Sequence, residues 1–531
     1  MCRAGRVPAD IGGHHTEAED SLRYLYEIRS GAVNAISNPY HLAYGWYGWV
    51  GYHLALALGY GGGPLLPVQI LDAVTGALGI GLLWALLRTV SLRRTAAAVG
   101  CGLLAFSYGF WWYSVEVEVY ILSAVLLIGC LFLAYRAVIH PTWRRFALLG
   151  AAHGLAMLAH NTNALFGIVV LAALVLGGRT MPFGRVLRCA AAYAVAGILV
   201  VVSAYTVVVT SIALRTRSAI FDWLTGYAQS GQWGQWDQSS IPKAMVGAGR
   251  ALVGGHFAFA LGPVRDIAIK SFANKSLREE VFLVRGYSTV LALLLLVLVA
   301  VVAVGLMLPV LHWLRHPTLV GRGRVLALLS LSWLVPYSLF FVWWEPQNIE
   351  FWISPGIPLA ILFALIFGSR RARSRHRETG YVAVLVSALL LLNLLGSVWP
   401  QHGEDDDYWR VRAAWYERNA TSADLIVAYD YQETYYLRYF TSAEVIDVKP
   451  HLLFRGVPAT IAVVEREIAE DEGRRVLFSN EVFFPSTDAY SECTDARACE
   501  VWAPAMREAF LSRTSVVARQ PLEDVRELTR R

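Results

Sequence analysis

Long apolar runs separated by short polar loops fill this 531-residue chain from about residue 67 to residue 399. A helix needs about 17–25 apolar residues to cross a bilayer. Runs that reach or approach this length lie at roughly 67–89, 95–113, 118–136, 186–210, 287–311, 324–343, 353–369 and 380–399. Each of them predicts a transmembrane helix.

Two further runs need a different interpretation. The stretch 146–178 is too long for one crossing and is interrupted by the polar residues 160–163, H-N-T-N. It predicts two short helices that meet at a polar turn, which brings the total to about ten crossings. The run 45–60 is short and aromatic at one end, and it predicts a helix that lies along the membrane surface.

After residue 400 the pattern changes to short strands alternating with helices. Residues 424–429, 443–448 and 475–478 have the apolar pattern of strands, and 432–440 and 460–470 have that of helices. They predict a small α/β domain without a glycine-rich phosphate loop, a G-x-S-x-G motif or zinc-ligand spacing. Such a domain would serve either acceptor recognition or structural support.

The predicted fold class is therefore a polytopic α-helical membrane protein with a small C-terminal α/β domain on the outer side. Three domains are expected. Residues 1–66 form an outer segment with an acidic motif and the interfacial helix, 67–399 form the transmembrane domain with a long outer loop at 211–285, and 400–531 form the α/β domain.

The composition agrees with this architecture. Hydrophobic residues make up 56% of the chain and charged residues only 16%, with a mean hydropathy of +0.45. Soluble domains are about 25% charged. The formal net charge of +6 comes with arginines grouped between apolar runs, so it reflects membrane topology and not nucleic-acid binding.

Arginine clusters occur in every second loop and fix the predicted sidedness. They are Arg88/Arg93/Arg94, Arg136/Arg144/Arg145, Arg179/Arg185/Arg188, Arg315/Arg322/Arg324 and Arg370/Arg371/Arg373/Arg375/Arg377. The short alternate loops contain no Lys or Arg. By the positive-inside rule the arginine loops are cytoplasmic. The N-terminal motif and the C-terminal domain are then extracytoplasmic, on a multi-pass protein of the plasma membrane in a prokaryotic host.

The N-terminus and the cysteines add two expectations. No signal peptide or apolar helix precedes the outer acidic motif, so we expect that a first transmembrane helix is missing from this chain; the alternative is a short tail that crosses unaided. Cys493 and Cys499 lie in the outer C-terminal region, where a short disulfide persists more readily than in the cytoplasm. A metal pair is less expected there, because no His or further Cys is near.

Asp20 is the leading candidate for chemistry, with Glu19 beside it. A carboxylate at the outer membrane face can take the proton of an acceptor hydroxyl as the oxygen attacks. If a helix starts at the Asp20–Ser21 step, Arg23 and Tyr24 lie on its next turn and orient the acid or hold an anion. The plainer alternative is that Asp20 or Ser21 only caps this helix.

More polar residues map to the outer ends of the predicted helices. They are His41, Glu116, Glu118, His160, Glu345, Asn348 and Glu350. Ionisable groups facing a membrane cavity cost a few kcal/mol unless they have partners or water, so their clustering predicts a substrate-binding site. Any single Glu is equally explained as a solvated interfacial residue. Glu118 is preferred over Glu116 because it starts a predicted helix.

The outer loop contains a stretch rich in Trp, Gln and Gly at 221–240. Flat aromatic faces beside amide side chains, such as Trp233 and Trp236, suit sugar rings. The equally supported alternative is an aromatic belt at the membrane interface.

The order of these features resembles the GT-C superfamily of integral-membrane glycosyltransferases. An outer acid is followed by N-P-Y-H-L-A-Y-G-W-Y-G-W (38–49), a surface helix and an outside-to-inside crossing. The stretches F-W-W-Y-S-V-E-V-E-V-Y (110–120), G-L-A-M-L-A-H-N-T-N (154–163) and W-W-E-P-Q-N-I-E (343–350) are similar to motifs of its protein O-mannosyltransferase-like branch. In this superfamily the first outer loop carries the catalytic acid. The resemblance assigns that role to Asp20, or less favourably to Glu19.

The resemblance implies an enzyme that moves a sugar, with mannose as the first candidate, from a polyprenyl-phosphate carrier to an acceptor hydroxyl on a protein, lipid or glycan. No cofactor is clearly implied, and a divalent ion held by acids and phosphate is compatible with the sequence without being indicated by it. A flippase for a lipid-linked saccharide is disfavoured, because only Asp72 and His153 lie deeper in the predicted helices. A catalytically silent scaffold is the third alternative.

Overall fold

The computed structural model describes residues 15, 18, 20–90, 92–225, 234, 236–272, 276–317, 319, 321–369, 375–470, 473–485, 498–519 and 524–529. They form two compact units. The sheet unit comprises Met1–Tyr26, His256–Leu293 and Trp399–Arg531, and the helical unit comprises Glu27–Gly255 and Leu294–Val398.

Most of the described chain is helical. In chain order the helices are α1 (Ser21–Ser30), α2 (Val33–Ile36), α3 (Leu42–Ala57), α4 (Leu65–Thr89), α5 (Arg94–Ala105), α6 (Tyr108–Ser114), α7 (Val119–Ile139), α8 (Trp143–Ala159), α9 (Gly167–Gly178), α10 (Phe183–Ser211), α11 (Arg217–Thr225), α12 (Ser240–Val253), α13 (Gly262–Phe272), α14 (Ser276–Leu283), α15 (Thr289–Arg315), α16 (Gly321–Trp344), α17 (Ile349–Ser369), α18 (Arg375–Asn393), α19 (Tyr408–Asn419), α20 (Tyr431–Phe440), α21 (Val448–Glu470, kinked at Gly456) and α22 (Ala503–Phe510). Short 3₁₀ and π turns connect several of them.

All ten predicted crossings are helical, which confirms the polytopic helical fold class. Eight helices in the described part of the chain are long and apolar enough to span a membrane. The predicted crossing 95–113 is divided, because α5 ends at Ala105 and α6 begins at Tyr108. The helix α8 has only 17 residues, and it is followed by the 3₁₀ helix Asn161–Phe166 that leads into α9.

The helix α10 shows why these elements suit a bilayer. Apolar side chains are exposed along it, including Val195, Ile198, Leu199 and Val202. A soluble protein would bury such a surface, whereas a lipid-facing helix requires it. The predicted interfacial run 45–60 corresponds to α3.

The sheet unit contains a five-stranded sheet. Its strands are β1 (Leu425–Ala428), β2 (Glu444–Asp447), β3 (Val476–Phe478), β4 (Thr514–Arg519) and β5 (Asp524–Leu528), in the spatial order β2-β1-β3-β5-β4. The strands β2, β1 and β3 are parallel, and β5 and β4 extend the sheet in antiparallel fashion. The three parallel strands match the predicted ones, and the hairpin of β4 and β5 was not predicted.

Burial explains this difference between the strands. All four residues of β1 and all three of β3 are buried, so their sequences are continuous apolar runs. The strand β4 is largely open to solvent, and β5 carries Asp524, Arg526 and Glu527 around its buried Val525. Their sequences therefore lack the apolar pattern that identifies a strand.

Candidate functional site

Asp20 immediately precedes the first helix. The helix α1 begins at Ser21, as the Asp20–Ser21 step predicts, and its first turns carry Arg23 and Tyr24. The backbone N–H of Tyr24 donates to the carbonyl oxygen of Asp20 at 2.9 Å. This turn brings the three side chains to one end of the helix, which is the arrangement that the sequence predicts.

The Asp20 carboxylate is surrounded by hydrogen-bond donors. The Tyr431 hydroxyl donates to Asp20 Oδ1 at 2.6 Å, and Arg23 Nη1 lies 3.4 Å from the same oxygen. The Tyr24 hydroxyl lies 3.5 Å from Asp20 Oδ2. We call Asp20, Arg23, Tyr24 and Tyr431 the acid cluster. The Asp20 side chain remains 31% exposed, so a reactant can reach it.

Tyr431 is the member of the acid cluster that sequence reasoning missed. It is the first residue of α20, directly after β1 and Asp430. Burial and the negative charge of Asp20 raise the pKa of Tyr431 well above its usual value, so the hydroxyl keeps its proton and remains a donor. No local pattern links two residues 411 positions apart.

The residues just before Asp20 are also held by the C-terminal domain. The backbone N–H of His15 donates to Asp407 Oδ2 at 2.9 Å, and the Tyr436 hydroxyl donates to the same oxygen. His15 and Asp407 are both buried. Within the sheet unit, the chain leading to Asp20 is therefore tied to the helices α19 and α20.

Other predicted residues line a narrow cavity in the helical unit. The cavity offers ≈ 10 Å³ of room, about that of a single water molecule. We call it the polar cavity. Its lining includes Tyr120, His160, Thr162, Asn163 and Glu350.

Glu350 is held firmly in the polar cavity. Its Oε1 accepts hydrogen bonds from the Tyr120 hydroxyl at 2.7 Å and from Asn348 Nδ2 at 2.9 Å. The backbone N–H of Glu350 donates to Asn348 Oδ1 at 3.3 Å. Asn348 and Glu350 were both predicted for the substrate site and here contact each other, and Tyr120 is an additional partner at the start of α7.

His160 lies against two other rings. Its ring centroid is 4.6 Å from that of His41 and 5.4 Å from that of Tyr120. The Thr162 backbone N–H donates to His160 Nδ1 at 3.2 Å, so the proton of the neutral ring is on Nε2. His160 is accordingly a hydrogen-bond donor through Nε2.

Glu116 and Glu118 lie on the bend between α6 and α7. Both are buried, at 0% and 1% exposure. Glu118 is the N-cap of α7, which begins at Val119, so the prediction that Glu118 starts the helix is met. Glu116 lies on the bend itself, outside both helices.

The remaining predicted residues are more scattered. Glu345 follows the end of α16 and is half-buried, and Trp236 is exposed. Glu19, Trp233 and Cys493 fall outside the described residues, as does the side chain of Cys499, so the predicted disulfide stays a prediction. Among the described residues no group of three or more His, Cys, Asp or Glu side chains is arranged to hold a metal ion.

A known protein family matches part of the chain. Residues 46–213 match the family model described as dolichyl-phosphate-mannose-protein mannosyltransferase. This segment runs from α3 to the end of α10. No curated protein matches the sequence.

Two solved structures share the fold. One is ArnT from Cupriavidus metallidurans bound to undecaprenyl phosphate, with a TM-score of 0.59 and 14% identity over 96% of this chain and 93% of that one. The other is the apo state of ArnT from the same organism, with a TM-score of 0.51 and 16% identity over 98% of this chain and 94% of that one.

At these identities the structural likeness concerns the fold. It extends over nearly the whole chain, including the C-terminal domain, and it adds to a family match that contains Tyr120, His160 and Asn163 of the polar cavity. Both findings agree with the resemblance inferred from the sequence motifs: a mannosyltransferase family model matches residues 46–213, and the fold is similar to that of ArnT.

Proposed function

We propose that the protein transfers a sugar from a polyprenyl phosphate to an acceptor hydroxyl at the outer face of the membrane. The acceptor oxygen attacks the anomeric carbon of the sugar and forms the new glycosidic bond. The bond from that carbon to the phosphate oxygen breaks, and the polyprenyl phosphate leaves with its electron pair. Asp20 takes the proton of the attacking hydroxyl.

The observation that carries this proposal is the environment of Asp20. A general base must be oriented and accessible, and Asp20 has hydrogen-bond donors at both oxygens while part of its side chain is exposed. Arg23 lies beside it and can only donate, so it suits the negative charge that develops on the leaving phosphate.

Two findings support a lipid-linked donor. The ArnT structure that shares the fold holds undecaprenyl phosphate. The family model that matches residues 46–213 is described by dolichyl-phosphate-mannose. Mannose is therefore the first sugar to test, and the acceptor is a hydroxyl of a protein, a lipid or a glycan.

The first experiment compares sugar transfer by the unchanged protein and by Asp20→Asn. Isolated membranes carrying each variant at equal amounts are incubated with radiolabelled polyprenyl-phosphate mannose, and the label recovered in acceptors is counted. Asparagine keeps the shape of the side chain but cannot take the proton. We expect transfer to fall at least about 100-fold, the usual minimum contribution of a general base.

A matched control is Asp266→Asn, which removes an exposed carboxylate from α13 of the same unit. Its transfer rate should equal that of the unchanged protein. Equal transfer by Asp20→Asn would reject Asp20 as the base and leave Glu118 and Glu350 as the acids to test next. An unchanged protein that transfers no sugar from any polyprenyl-phosphate donor would favour the flippase or the scaffold.

A further inference from the structure

We propose that Tyr431 is a positioning residue for the reaction, holding the Asp20 carboxylate in the orientation in which it receives the acceptor proton. The proposal rests on the proposed function and deepens it. It makes the C-terminal α/β domain a working part of the transferase centre, with a role beyond structural support.

The direction of the hydrogen bonds follows from the donors present. Arg23 Nη1 lies 3.2 Å from the Tyr431 oxygen and 3.4 Å from Asp20 Oδ1. A guanidinium only donates, so the phenol oxygen accepts from Arg23 and its own proton is directed to Asp20 Oδ1, at 2.6 Å. The three groups thereby form a closed ring in which each hydrogen bond has one possible direction.

Tyr431 is a rigid anchor. It follows β1, which lies between β2 and β3 in the sheet. Asp430 caps α20 by accepting the backbone N–H of Gln432 at 3.0 Å, and the Tyr431 ring packs against Tyr435 with centroids 4.9 Å apart. Asp20, in contrast, lies on a turn ahead of its helix. Its hydrogen bond to Tyr431 connects this turn to the sheet.

A second tether makes the same connection. The hydrogen bond from the His15 backbone to Asp407 holds the chain five residues before Asp20 on the N-terminus of α19. The turn that carries Asp20 is thus fixed before and after the acid by one domain. Such support is what keeps a catalytic group within about 0.5 Å of its productive position.

The test is Tyr431→Phe, which removes the hydroxyl and keeps the ring. Transfer from radiolabelled polyprenyl-phosphate mannose is measured in membranes as a function of donor concentration. We expect kcat to fall about tenfold and KM for the donor to stay within about twofold. Tyr439→Phe, on the same helix, should match the unchanged protein in both.

A double variant and the two single variants distinguish failure of this proposal from failure of the proposed function. Asp20→Asn combined with Tyr431→Phe should be no slower than Asp20→Asn alone, because the tyrosine acts through the acid. Full activity of Tyr431→Phe alongside an inactive Asp20→Asn would overturn the positioning role and leave the proposed function intact. Full activity of Asp20→Asn would overturn both.

A rate loss of another origin is also recognisable. If Tyr431→Phe loses rate and its effect multiplies that of Asp20→Asn, the hydroxyl serves only the fold and the proposal is wrong. Thermal unfolding of the purified variants in detergent, monitored by tryptophan fluorescence, identifies any variant that has lost its structure.

Discussion

Arg412 is an ionised side chain held almost entirely out of solvent. It is 2% exposed and lies between two acids, with Nη2 2.9 Å from Glu433 Oε1 and Nη1 3.0 Å from Glu481 Oε1. The Ser479 hydroxyl donates to the other oxygen of Glu433 at 2.7 Å. These ion pairs connect α19 to α20, which follows β1, and to the segment that follows β3. They therefore stabilise the part of the sheet unit that carries Tyr431.

Replacing Arg412 by Met should destabilise the sheet unit strongly. The apolar side chain leaves Glu433 and Glu481 buried without their cation, which costs about 3–5 kcal/mol. In thermal unfolding of the detergent-solubilised protein we expect the midpoint of this unit to fall by about 10 °C.

Two variants control for this result. Arg418→Met, on the exposed side of the same helix, should shift the midpoint by less than about 2 °C. The triple variant Arg412→Met, Glu433→Gln, Glu481→Gln should recover part of the loss, because neutral amides cost less to bury than carboxylates. If Arg412→Met unfolds at the temperature of Arg418→Met, the ionic group contributes little to stability.

At the residue scale, the sequence indicates local partners and not distant ones. Helical spacing places Arg23 and Tyr24 beside Asp20, and both lie there in the structure. Tyr431 and Arg412 reach their partners through the packing of a domain, which leaves no periodic trace in the sequence. The preference for Glu118 over Glu116 is not tested by burial, since both carboxylates are buried.

The helices α8 and α10 pack with their backbones unusually close. A Cβ atom at Gly150 would overlap the backbone carbonyl oxygen of Tyr193, and one at Gly154 would come within 3.0 Å of the carbonyl oxygen of Gly197. Glycines four residues apart form the small-residue face that lets membrane helices approach. Next to this contact, His153 Nδ1 lies 2.6 Å from the Tyr193 hydroxyl.

Gly150→Ala should therefore separate α8 from α10. The new methyl group meets backbone, which cannot rotate away, so we expect a loss of about 1–3 kcal/mol and a lower yield of folded protein. The measurement is the fraction of protein that stays monodisperse in detergent after brief heating.

The control is Gly184→Ala on α10, where a Cβ meets nothing within 4 Å. It should match or slightly exceed the unchanged protein, because alanine favours a helix over glycine. Equal heat resistance of Gly150→Ala and Gly184→Ala would show that the helices adjust to the methyl group at no cost.

At the element scale, length and burial decide what can be predicted. The apolar runs give the crossings because a bilayer imposes both length and composition on a helix. The break between α5 and α6 at Phe106 and Ser107 lies within an apolar run, and composition cannot locate it. The hairpin of β4 and β5 was not predicted, because its strands contain polar residues and lack a continuous apolar run.

The whole molecule is assembled from segments that are far apart in the chain. Residues 256–293, which include the end of the predicted outer loop and the start of the next predicted crossing, belong to the same compact unit as the C-terminal domain and the residues up to Tyr26. The sequence predicts an outer loop and a separate C-terminal domain for these segments. It does not show that they form one compact unit, because that depends on contacts between distant segments. The arginine pattern still predicts one common side for these segments.

Labelling of single introduced cysteines tests that topology. Ser422→Cys lies on an exposed turn of the C-terminal domain, and His140→Cys lies in an arginine-containing loop. In a background without other reactive cysteines, a membrane-impermeant maleimide should label Ser422→Cys in intact cells. His140→Cys should be labelled only after permeabilisation. The reverse pattern would invert the assigned orientation and remove the outer-face site.

The separation of Asp20 from Tyr431 along the chain also has a consequence during biosynthesis. Ribosomes add about 5–20 residues per second, so roughly 20–80 s separate the appearance of the two residues, which are 411 positions apart. The membrane helices are made in this interval, while the acid lacks its anchor. The nascent chain can therefore insert into the membrane before its acid cluster is complete, and the proposed positioning of Asp20 is available only to a finished chain.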